Sequence, residues 1–96
     1  MIKILIVDDE KPICDLIDMN LSAGGYQCAA VQDGIAALRM IEEEAFDLIL
    51  LDIMLPGEDG LEILSRLKAS EVTKEIPVIM VTAKGAEYDK VMGLDC

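Results

Sequence analysis

The sequence has no histidine, no tryptophan, one phenylalanine and two tyrosines, and only eight basic residues against nineteen acidic ones. Each shortage removes a class of function. Without histidine a mixed Cys/His zinc site cannot form. The three cysteines, Cys14, Cys28 and Cys96, have no CxxC spacing and leave a thiolate-only zinc site one ligand short. They also make no disulfide framework, which points to a reducing cytosol. No glycine-rich phosphate cradle of the GxGxxG or GxxxxGK[ST] kind is present. The formal net charge of −11 repels a phosphate backbone, so nucleic acid is not a partner through this segment. A metal cation, or a protein with a basic face, suits such a surface. The apolar N-terminal run, Ile2 to Val7, is too short to span a membrane or to act as a signal peptide. A soluble cytoplasmic protein without membrane contact is expected.

What is present is aliphatic. Hydrophobic residues make up 53% of the 96 positions and aromatic residues 3%, so one small core is built from Ile, Leu, Val, Met and Ala. Near-continuous apolar runs at Ile2–Val7, Asp47–Leu51 and Ile76–Val81 read as strands buried on both faces, as in parallel sheets flanked by helices. Tyr26–Val31 is weaker and reads as an edge strand. Between these runs the spacing turns helical. Pro12 suits a helix start, Ile13, Leu16, Ile17, Asn20 and Leu21 form a stripe, and Gly24-Gly25 closes the helix. Asp33 is a candidate N-cap for a helix over 35–44, with Leu38 and Ile41 inward. A third helix over about 60–70 has Leu61, Leu64 and Leu67 inward, and a fourth begins near Ala86. The βαβαβαβα order predicts a doubly wound α/β domain with a parallel sheet. Its site should lie beyond the carboxyl ends of the strands.

Those strand ends carry the polar residues: Asp8-Asp9-Glu10 after the first, Asp52 after the third and Thr82 after the fourth. If the first and third strands are neighbours, Asp8, Asp9 and Asp52 crowd one pocket and raise one another's pKa unless a cation lies among them. Mg²⁺, a small hard ion that takes carboxylates and keeps waters, fits. A carboxylate so placed can attack phosphorus and become an aspartyl phosphate. The Thr82 hydroxyl can donate to a phosphoryl oxygen, and the Pro56-Gly57 and Asp59-Gly60 turns shape a loop able to present the Met54 carbonyl to the metal. The plain alternatives are a helix cap for Asp8 and Asp9, a chance strand end for Asp52 and a β-branched strand residue for Thr82.

The runs Ile4-Leu5-Ile6-Val7-Asp8-Asp9-Glu10, Asp47 through Gly60, and Pro77-Val78-Ile79-Met80-Val81-Thr82-Ala83-Lys84 closely resemble receiver domains of two-component response regulators, in order and along the whole chain. The loop after Asp52 is most similar to regulators with a C-terminal winged-helix DNA-binding domain, the OmpR/PhoB type. The resemblance implies a flavodoxin-like sheet of order 2-1-3-4. It implies Asp52 as phosphoacceptor, Asp9 as direct Mg²⁺ ligand, Asp8 acting mainly through water, the Met54 carbonyl as a further ligand, and Thr82 as switch hydroxyl. The donor would be a phosphohistidine on a sensor histidine kinase, or acetyl phosphate, and the output transcription regulation. The domain would not be an enzyme in its own right; it would assist its own phosphorylation and dephosphorylation.

The family pattern continues beyond Gly93-Leu94-Asp95 with a fifth strand, a switch aromatic, a Lys-Pro pair and a fifth helix, so a C-terminally incomplete receiver over 1–96 is expected. Lys84 and Tyr88 do not stand in for the family's lysine and aromatic. An uncovered fourth strand would favour self-association, as a homodimer or by segment exchange. Two other functions stay open. A haloacid dehalogenase-type phosphatase resembles DxD at its nucleophile, where this chain has Met54 two residues on. A receiver-like interaction module would bind partners without being phosphorylated.

Overall fold

The computed structural model describes residues 1–52, 55 and 60–81. Four strands, β1 (Lys3–Val7), β2 (Gln27–Val31), β3 (Leu48–Asp52) and β4 (Val78–Val81), form one parallel sheet in the order β2-β1-β3-β4. Three helices connect them: α1 (Lys11–Ala23), α2 (Gly34–Glu43) and α3 (Gly60–Ala69). The expected flavodoxin-like fold and strand order are the observed ones. The reading of a fourth helix from Ala86 falls outside the described residues.

Strand alternation divides the apolar side chains between two cores. Leu5, Val7, Ile49, Leu51, Val78 and Met80 pack with Ala37 and Ile41 of α2 and Ile63 and Leu67 of α3 on one face. On the other, Ile4 and Ile6 pack with Cys14, Ile17 and Leu21 of α1. Both faces of β1 and β3 are therefore covered, which is why those runs are continuously hydrophobic rather than alternating. β2 is the edge strand its weaker sequence suggested.

The helix ends follow local chemistry. Pro12 lies in the first turn of α1, where a missing N–H costs nothing, and Gly25 takes a φ of +95° that closes the helix. Asp33 caps α2, its Oδ1 accepting from the Ala36 N–H at 2.8 Å. Two inward faces differ from expectation. In α1, Leu16 is 56% exposed and Asn20 is also exposed, while Cys14 is buried and points inward with Ile17 and Leu21. In α3, Leu61 is 52% exposed and Ile63 is buried in its place, beside Leu67 and half-buried Leu64. Both departures have one cause: the sheet selects the stripe whose i, i+3, i+4 and i+7 members point at it together, and Leu61 and Leu16 lie off those stripes.

Leu51 has no exposed surface and belongs to the larger core. Leu51→Ala should therefore cost about 2–5 kcal/mol in urea unfolding. Val72→Ala, on a side chain that is 80% exposed, should stay within about 0.5 kcal/mol. Comparable losses for both would show that the core is misassigned.

Candidate metal and acceptor site

β1 and β3 are adjacent, with Val7 opposite Leu51, so the next residues, Asp8 and Asp52, extend the same register. Both follow the alternation that sends Ile6 and Leu50 toward α1, and neighbouring strands lie about 4.8 Å apart. The two carboxylates therefore meet across a strand pair at its carboxyl end. Asp9 joins them from the turn into α1. One carboxylate oxygen from each of Asp8, Asp9 and Asp52 lies within 4.8 Å of the others. Asp8 and Asp52 are buried, and Asp9 is half-buried.

Asp8 is held from several directions. Its backbone N–H donates to the Val31 carbonyl at 3.1 Å, tying it to β2. Its Oδ1 accepts from the Glu10 N–H at 2.9 Å. The Cys14 thiol, one helical turn on, donates to its carbonyl at 3.4 Å, and the Gln32 amide donates to that sulfur at 3.7 Å. Glu10, not Asp8 or Asp9, occupies the N-cap position of α1 and makes no side-chain cap. The helix-cap alternative for the acidic pair is thereby set aside for Asp8, whose side chain serves the turn and the cluster.

Burial pushes the Asp8 carboxyl above the ordinary carboxylate range. The Glu10 N–H pulls it back in part, and the charges of Asp52, Asp9 and Glu10 add to the rise. This is the electrostatic signature of acids gathered in a dry place. A cavity of about 150 Å³ beside the cluster, walled by Ile6, Ile13, Ile17, Leu50 and Val81, keeps the α1 side apolar. Three hard oxygen donors that destabilise one another fit a small divalent cation such as Mg²⁺, which would relieve their repulsion. They suit neither a soft metal nor an anion.

Of the predicted site residues, Asp8, Asp9 and Asp52 are brought together. Thr82 and Met54 lie outside the described residues, as do Lys84 and Tyr88; β4 is described as far as Val81, which pairs with Asp52. The part played by Cys14 was not legible in the sequence beyond its apolar context. Its contact with the Asp8 carbonyl depends on how α1 docks. Burial raises the pKa of its thiol too, and Cys14 and Cys28 are both free thiols, as expected. No helix among the described residues is long and apolar enough to cross a membrane.

A carboxyl with a raised folded-state pKa lowers stability as pH climbs from the ordinary carboxylate range through the raised value. Asp8→Asn keeps the oxygen that accepts from Glu10 and removes the charge. In metal-free protein near neutral pH it should add on the order of half a kcal/mol after allowance for solvent screening, or roughly 2–4 °C in Tm. The difference should vanish in acid, and calorimetry across pH tests it. An unchanged or lowered neutral-pH Tm would remove the repulsion from the account.

Comparison with known proteins agrees with this geometry. The response regulator receiver domain model matches residues 4–96. The N-terminal domain of a response regulator receiver protein from Methanoculleus marisnigri JR1 is 41% identical, with a TM-score of 0.82 over 85% of this chain and 67% of that one. Response regulator protein TrrA from Thermotoga maritima, solved in complex with Mg²⁺-BeF, is 31% identical, with a TM-score of 0.81 over 97% of this chain and 78% of that one. The same coverage is found for a complex of histidine kinase ThkA with TrrA, at 33% identity and a TM-score of 0.81. With its parallel sheet in this order and its acids at these strand tips, the chain belongs to the response regulator receiver domains of two-component signalling.

Proposed function

We propose that Asp52 accepts a phosphoryl group from a sensor histidine kinase, with Mg²⁺ bound among Asp8, Asp9, Asp52 and the Met54 carbonyl. The observation that carries this reading is the meeting of three carboxylates within 4.8 Å at the tips of β1 and β3. A carboxylate oxygen of Asp52 forms the new O–P bond as the P–N bond to the kinase imidazole breaks. The electron pair of that bond stays on the imidazole nitrogen, which then takes a proton from solvent. Asp52 suits this role because it ends β3 as a buried residue, with Leu51 in the core below it. Asp8 and Asp9 would hold the cation, and Mg²⁺, when bound, would supply positive charge against the phosphoryl oxygens. The Thr82 hydroxyl donates to one of those oxygens. The apolar wall of Ile6, Ile17, Leu50 and Val81 excludes water from one side of the acyl phosphate and slows its hydrolysis. The chain is thus a phosphoacceptor that assists its own phosphorylation and dephosphorylation, with no turnover on an outside substrate. The similarity of the 54–60 loop to winged-helix regulators makes transcription regulation the output we propose. A cytoplasmic site of action follows from a kinase partner.

The surface of α1 supports the kinase partner. Pro12, Leu16, Met19 and Ala23 recur at i, i+4, i+7 and i+11 on the side of the helix away from the sheet, and all are exposed. Leu16 and Met19 are 56% and 69% exposed. This second apolar stripe begins three residues after Asp9 and would pack against the helices of a kinase that presents its phosphohistidine to Asp52. TrrA, similar to this chain, has been solved with its histidine kinase.

Two measurements test the reading. With acetyl phosphate and Mg²⁺, intact-mass analysis should show one phosphoryl group on the wild type and none on Asp52→Asn; an undiminished adduct on the variant ends the proposal. The double variant Leu16→Ala/Met19→Ala should slow transfer from a phosphorylated kinase by on the order of tenfold, as loss of about 1–2 kcal/mol of buried contact predicts. Its acetyl phosphate labelling should be unchanged. Equal loss with both donors would place the defect in the fold or the acceptor.

A further inference from the structure

We propose that the outer edge of β2 is a strand-addition site for an extended, basic segment of a partner protein. Among the described residues, β2 pairs with β1 on one side only. Its register with β1, from Lys3↔Gln27 to Val7↔Val31, is unbroken by a bulge. The Gln27 N–H donates to the Ile2 carbonyl and the Val31 carbonyl accepts from the Asp8 N–H, so the backbone groups of residues 27, 29 and 31 face β1. Those of Cys28 and Ala30, by strand alternation, point outward. Two donors and two acceptors are thus aligned at an open edge.

Edges of this kind are usually blunted by lysine, proline or a bulge. The Gln27-Cys28-Ala29-Ala30-Val31 strand has none of these, and its small side chains leave room beside the backbone. A cleft of about 310 Å³ opens between the last residue of the strand and α2, lined by Val31, Ile35, Ala36 and Met40. Its rim carries Asp33 and Glu43 against a single Arg39. An added strand would send one apolar side chain into this cleft and basic ones to the rim. Charge decides the occupant: a second copy of a chain with net charge −11 brings like charge to like, whereas a segment rich in lysine or arginine is drawn in. This surface is separate from the acid cluster and from the α1 stripe, so it stands or falls independently of phosphoryl transfer.

The probe is a short capped peptide alternating lysine and valine, paired with the same peptide N-methylated at alternate residues, which cannot pair as a strand. The unmethylated peptide should perturb the amide resonances of Cys28 and Ala30 and slow their hydrogen exchange, and the methylated one should bind on the order of tenfold more weakly. Ala30→Pro removes an outward N–H without touching the β1 ladder and should weaken the unmethylated peptide similarly, with Mg²⁺ affinity unchanged. Because methylation alters only the peptide, the comparison holds even if that variant folds poorly. Four results would overturn the proposal: no binding, equal binding of both peptides, perturbations confined to α1 or the acid cluster, or a concentration-dependent dimer that Ala30→Pro abolishes, which would make the occupant a second copy.

Discussion

Two parallel strands lying side by side with their last residues in register is the constraint from which the rest of this molecule follows. Because β1 and β3 pair with Val7 against Leu51, an acid placed immediately after each strand arrives at the same point in space. Nothing else in the chain needs to be unusual. The right-handed crossovers place α1 on one face and α2 and α3 on the other. The apolar side chains of both strands lock the register, since a one-residue slip would move each of them into the opposite core and part the acids at the strand tips. The register that the core enforces for stability is the one that the site needs for chemistry.

That arrangement has an electrostatic cost in the absence of a ligand. Asp8 is buried next to other acids and its proton is held more tightly than usual, so the metal-free domain carries repulsion at the tips of β1 and β3. A cation bound there would reverse the sign of that local effect and couple ligand binding to stability. Several neighbours serve to keep the arrangement in place: the Val31 carbonyl, the Glu10 N–H and the Cys14 thiol all act on Asp8, each from a different element. The wall formed by Ile6, Ile17, Leu50 and Val81 completes the surroundings by keeping one side dry.

The outward surfaces divide into regions with different character. The exposed side of α1 carries an apolar stripe, Pro12, Leu16, Met19 and Ala23, among polar neighbours, and it begins just downstream of the acidic pair. The β2 edge is uncharged in a chain that is otherwise strongly acidic. The two regions lie on different elements, the stripe on α1 and the edge on β2. The ion pairs Lys11–Asp15 and Arg66–Glu62 join exposed side chains within helices and contribute little beyond solubility.

Much of this was legible in the chain before folding. Periodicity alone separates strands buried on both faces from amphipathic helices, and the position of Asp8, Asp9 and Asp52 directly after apolar runs marks strand tips, because a buried strand must end where charge begins. Tertiary packing had to decide what local pattern leaves degenerate. Leu61 and Ile63 are equally apolar, as are Leu16 and Cys14 in context, and only the angle at which each helix meets the sheet selects Ile63 and Cys14 for the core. Strand adjacency is likewise invisible to local sequence, since it joins residues more than forty positions apart. The sequence by itself determined which acids would stand at strand ends; the sheet order determined that they would share one pocket, because only hydrogen bonding between β1 and β3 brings Asp8 within reach of Asp52.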